Sequence, residues 1–212
     1  ANSNSRIILS DFFDYFPLKQ GAYAVVLAEV SGNDISAAYL TAMLKTSFTL
    51  LAPSFPFGPD TILKKLNEIF MPYYQKGHMT TCLIGMIDST NDQMLCSNAG
   101  QSYPISVALH ANEKSFVSMP SSPLGISAES KFGKSVISLD KRTTILYSDG
   151  AINLLDQNGE KLGQERFLEI VGESLKADPR NPAEEILKRL EALAMSVPWR
   201  DDITIICIQN RI

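Results

Sequence analysis

The chain reads TILYSDG at residues 144–150 and DDIT at residues 201–204. The first stretch is an apolar run typical of a buried strand, and Asp149 follows it directly, before a glycine. The second stretch places Asp201 and Asp202 at the start of another apolar run, which predicts the last strand of the chain. In both places a carboxylate is expected beside rigid strand backbone, at the edge of a turn.

Two more acidic residues are expected at strand ends in the N-terminal half. Glu29 lies near the end of an apolar run that begins at Ala22, and Asp11 follows the short apolar run 7–9. Each of these residues alone is also typical of a solvated turn or a helix cap. Several carboxylates at one end of a sheet repel one another unless cations bind them. Hard cations such as Mg²⁺ and Mn²⁺ prefer oxygen ligands. The combination therefore indicates a divalent metal site.

The composition is that of a folded domain. The chain has 212 residues, of which 45% are hydrophobic and 20% charged, and a net charge of -4. These values argue against disorder, and no run of Lys and Arg predicts nucleic-acid binding. The three cysteines are far apart in sequence, which excludes a zinc ribbon and predicts reduced core thiols in a cytoplasmic protein. No apolar stretch reaches the roughly 18 residues of a membrane span, so no membrane contact is expected.

Periodic patterns predict the order of the remaining elements. Helices are expected over residues 35–51 and 59–74, followed by a run of short strands between 80 and 147. Two further helices, 164–175 and 181–195, precede a final strand over 202–208. Helices and strands are thus segregated along the chain, which favours an α+β fold over alternating βα units.

Six motifs follow one another in a recognisable order. They are Asp-Phe-Phe-Asp (11–14), Glu-Val-Ser-Gly (29–32), Asn-Ala-Gly (98–100), Pro-Leu-Gly (123–125), Tyr-Ser-Asp-Gly (147–150) and Asp-Asp-Ile-Thr (201–204). This series resembles the type-2C metal-dependent serine/threonine protein phosphatases, in the bacterial branch typified by the sporulation phosphatase SpoIIE. The resemblance implies one domain over residues 1–212, an α-β-β-α sandwich of two antiparallel sheets flanked by helices.

The resemblance also implies a ligand set and a reaction. Asp11, Glu29, Asp149 and Asp201 would be the catalytic side-chain ligands of two Mn²⁺ or Mg²⁺ ions, and Val30 would contribute its carbonyl. The implied substrate is a phosphorylated regulatory protein of the anti-sigma-factor-antagonist type, in a partner-switching cascade. The family further suggests that this domain is the C-terminal output domain of a longer protein with an upstream sensor or receiver domain.

The sequence departs from the family pattern at four places. Glu29 stands where the family has the aspartate that bridges both metals. The other departures are Asn33-Asp34 for a His-Gly pair, Gln101 for a histidine, and Leu9-Ser10 for a pair of glycines.

Three interpretations follow from the change at Glu29. The first is an active phosphatase. The second is a catalytically weak or inactive module that binds proteins, because a longer carboxylate shifts the geometry of the bridge. The third is a phosphatase whose ligand set is completed only when a partner or upstream domain orders the helices after Val30.

Overall fold

The computed structural model describes residues 11–18, 21–32, 35–51, 58–74, 78–108, 113–195 and 197–209. Its strands are β1 (Asp11–Pro17), β2 (Tyr23–Val30), β3 (Thr80–Asp88), β4 (Gln93–Ala99), β5 (Ile105–Ala108), β6 (Lys114–Phe116), β7 (Lys134–Ser138), β8 (Arg142–Tyr147) and β9 (Ile205–Gln209). Its helices are α1 (Ile35–Leu51), α2 (Pro59–Phe70), α3 (Gly150–Asn153), α4 (Gly163–Ala177) and α5 (Pro182–Ala194), with a 3₁₀ turn over Met71–Tyr73.

The strands form two antiparallel sheets with flanking helices, which confirms the predicted α+β fold class. One sheet has the order β1-β2-β3-β4-β7 and the other the order β6-β5-β8-β9. Contacts divide the chain into two compact units. The first unit contains the described residues within 1–86, 96–101 and 120–134, and the second those within 87–95, 102–119 and 135–212.

The core of the first unit forms between β2 and the two helices that follow it. Residues 24–28 of β2 are all buried, and alternate ones belong to this cluster because successive side chains of a strand point to opposite faces. The helices present apolar residues at intervals of three and four, as an amphipathic helix requires. The cluster includes Ala24, Val26, Ala28 and Val30 of the strand and Leu40, Leu44, Phe48, Ile62, Leu66 and Phe70 of the helices.

The core of the second unit joins β5 and β8 to helices α3, α4 and α5. Tyr147 at the end of β8 packs against Phe167 of α4, with ring centroids 4.6 Å apart. Ile105, Ile145, Ile186 and Leu190 complete the buried centre of this cluster. The strand that leads to Asp149 is therefore fixed by its own hydrophobic packing.

The structure adds one strand to the prediction and corrects another. Asp11 belongs to β1, which was not predicted from the sequence, and the predicted strand over residues 7–9 lies outside the described residues. The last strand begins at Ile205, so Asp201 and Asp202 lie in the loop before it. The pairing of β8 with β9 stops at Tyr147 and Ile205. Beyond it the Ser148 amide donates to the Thr204 carbonyl at 3.0 Å, and the Thr204 amide donates to the Ser148 hydroxyl at 2.9 Å.

Two other sequence predictions concern thiols and membrane spans. Cys82, Cys96 and Cys207 are all free, as predicted, and the first two are buried. None of the helices within the described residues combines the length and apolar character that crossing a bilayer requires.

Candidate metal centre

Asp11 and Glu29 form a cross-strand pair. They are opposite one another in the antiparallel register, at the open end of the β1–β2 hairpin, and both are half-buried. Residues directly opposite on neighbouring strands have Cβ atoms about 4.5–5.5 Å apart and lie on the same face. Two like charges in this position destabilise a sheet. A cation that binds both carboxylates removes this cost.

The turn after β2 is anchored by two reciprocal hydrogen bonds. The Ser31 amide donates to the Met79 carbonyl at 2.9 Å, and the Met79 amide donates to the Ser31 hydroxyl at 2.9 Å. These bonds fix the chain just beyond Glu29 against the residue that precedes β3. The Val30 side chain is buried in the core and has no ligand atom, so Val30 could bind a metal only through its carbonyl. Asn33 and Asp34 lie outside the described residues.

The Asn-Ala-Gly motif builds a turn and carries no metal-binding carboxylate. The side chain of Asn98 accepts from the Gln101 amide and donates to the Gln101 carbonyl, both at 2.9 Å. Gly100 has φ +74°, and a Cβ there would lie 2.6 Å from Pro123. The glycine is therefore required both by its conformation and by the close approach of the Pro-Leu-Gly loop.

A buried asparagine supports this loop from the opposite side. The Asn67 side chain accepts from the Gly125 amide and donates to the Ser127 carbonyl, each at 2.9 Å. Sequence analysis missed Asn67, which lies on the buried face of α2 among apolar residues. An asparagine on the apolar face of a helix could have predicted a structural hydrogen bond, because buried polar groups are nearly always hydrogen-bonded.

Asp149 occupies the sharp connection between β8 and α3. The next residue must be glycine, since a Cβ on Gly150 would lie 2.0 Å from the Asp202 carbonyl oxygen. The Ser148 amide donates to the Thr204 carbonyl at 3.0 Å, which holds the same two segments together. The Asp-Gly motif therefore allows two chain segments more than 50 residues apart to meet beside Asp149.

The Asp149 carboxylate has one satisfied and one unsatisfied oxygen. Its Oδ2 accepts a hydrogen bond from the Asn153 side-chain amide at 3.0 Å. The Asn153 carbonyl oxygen in turn accepts from Lys161 Nζ at 3.0 Å. Asp149 Oδ1 is buried and has no hydrogen-bond partner among the residues that the structure describes. A buried carboxylate oxygen without a donor is costly unless a cation binds it.

Neither Asn153 nor Lys161 was predicted from the sequence to support the site. Asn153 lies four residues after Asp149, the spacing at which side chains meet on a helix, and that spacing was a usable signal. Lys161 had no such signal, because the turn between it and α3 is not predictable from periodicity. Leu155 and Lys161 form an isolated β-bridge that brings the lysine back towards the helix.

Asp201 is the close neighbour of Asp149 in the second unit. Partial burial raises the pKa of the Asp201 carboxyl, and the negative charges of Asp149 and Asp202 raise it further. One Asp201 oxygen accepts a hydrogen bond from the Asp202 amide at 2.9 Å, and this bond lowers the pKa of the carboxyl. The carboxylates and the buried Oδ1 atom offer only oxygen ligands, so the site fits Mg²⁺ or Mn²⁺ and not a thiolate-seeking metal.

The structure thus arranges the predicted side-chain ligands as two pairs. Asp11 is paired with Glu29 in the first unit, and Asp149 is paired with Asp201 in the second. The combination of all four with the Val30 carbonyl in one ligand set stays a prediction.

The chain belongs to the family described as Stage II sporulation protein E (SpoIIE), whose profile matches residues 19–211. A search of curated proteins found no match to this chain.

Solved structures share the fold at low sequence identity. The RsbU and RsbW domains of Rv1364c from Mycobacterium tuberculosis match with a TM-score of 0.78 and 20% identity, over 99% of this chain and 57% of that one. The SiaA-PP2C domain of Pseudomonas aeruginosa matches with a TM-score of 0.80 and 17% identity, over 95% and 81%. RsbX in complex with magnesium matches with a TM-score of 0.70 and 19% identity, over 98% and 90%. This chain therefore spans little more than half of the first of these structures.

Proposed function

We propose that this chain is a metal-dependent protein serine/threonine phosphatase. In this proposal Asp11, Glu29, Asp149 and Asp201, with the Val30 carbonyl, bind two Mn²⁺ or Mg²⁺ ions. The observation that carries it is the buried Asp149 Oδ1 atom, which has no hydrogen-bond partner among the described residues and has Asp201 as a negatively charged neighbour. Membership of the SpoIIE family and the magnesium in the RsbX structure support it.

The residues of the chain have separate parts in the reaction. When bound, the ions make water nucleophilic at neutral pH and neutralise charge on the phosphoryl oxygens. Asp149 keeps its orientation through Asn153, and Gly150 admits the loop that carries Asp201.

A cysteine nucleophile does not fit this protein. Burial raises the pKa of Cys96 and of Cys207 to about 12, and raises the pKa of Cys82 as well. All three thiols are therefore protonated at neutral pH, and the thiolate is the form that attacks. A reaction that uses water as the nucleophile needs no thiolate.

The proposed substrate is a phosphoserine or phosphothreonine of a regulatory protein, of the anti-sigma-factor-antagonist type. We further propose that the chain is a single cytoplasmic output domain that responds to an upstream sensor or receiver domain. The similarity to a structure that contains RsbU and RsbW domains supports a place in partner switching.

The second candidate function is a protein-binding module with little or no catalysis. Glu29 favours it, because glutamate is one methylene longer than the aspartate expected there. A misplacement of about 1 Å can reduce a rate on the order of a hundredfold. Glu29 still offers carboxylate oxygens, so metal binding can persist when catalysis does not. In the third interpretation, the ligand set is completed only when a partner or upstream domain orders the helices after Val30.

Hydrolysis of a phosphoserine peptide, with and without Mn²⁺, distinguishes these functions. We expect weak Mn²⁺-dependent turnover in the wild type, higher turnover in Glu29→Asp, and none in Asp149→Asn. Asp140→Asn is the matched control, because Asp140 is an exposed turn residue between β7 and β8. If the wild type and Glu29→Asp both bind Mn²⁺ but are inert, the binding-module function replaces the enzyme.

A further inference from the structure

A cavity of about 230 Å³ opens beside the Asp149–Asp201 pair in the second unit. We propose that it binds the side chain next to the phosphoserine of an acidic substrate peptide. This inference rests on the proposed phosphatase function and deepens it, because it assigns residues that recognise the substrate. Its lining includes Asn153, Leu154, Lys161, Trp199, Arg200 and Asp201.

The size of the cavity limits its occupant. Sites for cofactors and drug-sized ligands are usually about 300–1,000 Å³. A cavity of about 230 Å³ is smaller than this range and suits one side chain of a peptide. Leu154 gives it an apolar wall, and Trp199, with 38% of its surface exposed, gives it an accessible aromatic one. An aliphatic or aromatic side chain fits such walls through burial of apolar surface.

The charge of the rim selects an acidic peptide. Lys161 and Arg200 are cationic lining residues and Asp201 is the acidic one, in a chain whose net charge is -4. Lys161 donates to the neutral Asn153 side chain and not directly to a carboxylate. Within the described ranges, no carboxylate forms an ion pair with Lys161 or Arg200. With Asp201 bound to a metal ion, as proposed, Lys161 and Arg200 leave the rim positive, and a positive rim attracts acidic segments and repels basic ones.

The position of the cavity connects it to the proposed reaction. Asp201 lines the cavity and is also a proposed metal ligand, and Asn153 lines it while it orients Asp149. A peptide whose side chain enters the cavity therefore has the adjacent residue beside these two carboxylates. This arrangement places a phosphoserine, and not a distant part of the substrate, at the metal centre.

Trp199 allows a direct test, because it is the only tryptophan in the 212 residues. The probe is a synthetic peptide with a central phosphoserine flanked by leucine and glutamate, and the matched peptide has lysine in place of glutamate. In Mg²⁺, we expect the acidic peptide to change tryptophan emission saturably. Its affinity should fall about tenfold in Arg200→Ala, as expected for loss of one charge-assisted contact. The lysine peptide should bind at least tenfold more weakly to the wild type.

The control variant is Lys188→Ala, since Lys188 is an exposed lysine of α5 that pairs with Glu184. It should keep the wild-type affinity for the acidic peptide. Mn²⁺ titration of Arg200→Ala separates recognition from damage to the neighbouring Asp201. Unchanged emission with the acidic peptide, equal affinity for both peptides, or weaker Mn²⁺ binding that accounts for the Arg200→Ala defect would each overturn the inference.

The two proposals fail in different ways. A saturable change in emission without hydrolysis in any variant refutes the phosphatase function while the cavity still binds the peptide. Mn²⁺-dependent hydrolysis of the same peptide without a change in emission supports the phosphatase function and refutes the assignment of the cavity.

Discussion

The Asn153 side-chain amide donates a hydrogen bond to Asp149 Oδ2 at 3.0 Å, and this bond fixes the orientation of the proposed metal ligand. Loss of a group that orients a metal ligand typically weakens metal binding 10–100-fold. We therefore expect Asn153→Ala to bind Mn²⁺ on the order of tenfold more weakly than the wild type. Isothermal titration calorimetry measures this affinity, and thermal unfolding without metal shows whether stability has changed.

Asn91→Ala is the matched control for this variant. Asn91 also donates its side-chain amide to an aspartate, Asp88, at 2.7 Å, but in the exposed turn between β3 and β4. The Asn91→Ala variant should bind Mn²⁺ with the wild-type affinity. Equal Mn²⁺ affinities for Asn153→Ala and the wild type would show that Asn153 does not position a ligand.

Gly150 is a second position at which substitution should be costly. A Cβ there would lie 2.0 Å from the Asp202 carbonyl oxygen, so Gly150→Ala must displace the loop that carries Asp201. We expect a loss of roughly 1–3 kcal/mol in the free energy of unfolding, as for overpacking elsewhere. Urea unfolding followed by circular dichroism measures it.

Gly133→Ala provides the comparison, because an added Cβ at Gly133 meets nothing within 4 Å. Its free energy of unfolding should stay within about 0.5 kcal/mol of the wild type. If Gly150→Ala and Gly133→Ala lowered the free energy of unfolding by similar amounts, the close packing of α3 against the Asp202 loop would not limit the side chain at position 150.

Asp156 should make stability depend on pH. The Glu160 and Asn158 amides donate to its carboxylate and lower its pKa, and the positive charge of Arg166 lowers it further. A pKa below the unfolded value of about 3.9 stabilises the fold above that pH, and the contribution is lost as the pH falls through the folded pKa. Asp156→Asn should therefore be less stable than the wild type at neutral pH.

The stability difference for Asp156→Asn should narrow as the pH falls below about 4. Urea midpoints measured across the acid range test this, with Gln157→Ala as an exposed neighbour that does not titrate. A difference that stays constant with pH would assign the effect of Asp156→Asn to packing instead of charge.

Substitution of Leu66 tests the core of the first unit. It is completely buried in the cluster that joins α2 to β2, whereas Leu50 on α1 is 70% exposed. Leu66→Ala should lower the free energy of unfolding by about 2–5 kcal/mol, because it removes apolar contacts and leaves a cavity. Leu50→Ala should change it by about 0.5 kcal/mol or less. Chemical denaturation measures both values. Similar losses in the free energy of unfolding for Leu66→Ala and Leu50→Ala would contradict this prediction.

Much of the fold could be predicted from the sequence because its helices and strands are specified by local patterns of apolar residues. The helical face of Leu40, Leu44 and Phe48 and the apolar strand before Glu29 are periodic patterns, and both elements form as predicted. Strand ends were less predictable. Asp201 and Asp202 lie before the final strand, which begins at Ile205, and the hydrogen bond that joins the Thr204 amide to the Ser148 hydroxyl there spans 56 residues.

The sequence by itself determined the family and the acidic residues that were candidates for metal binding, since both depend on short motifs at fixed positions along the chain. Only the tertiary structure decided how those residues are supported. It opposes Asp11 to Glu29, links Lys161 through Asn153 to Asp149, and lines a cavity with Trp199 and Arg200. These relationships depend on strand register, a turn and loop packing. These contacts join residues that no single periodic pattern in the sequence connects. Only the folded backbone therefore specifies the contacts.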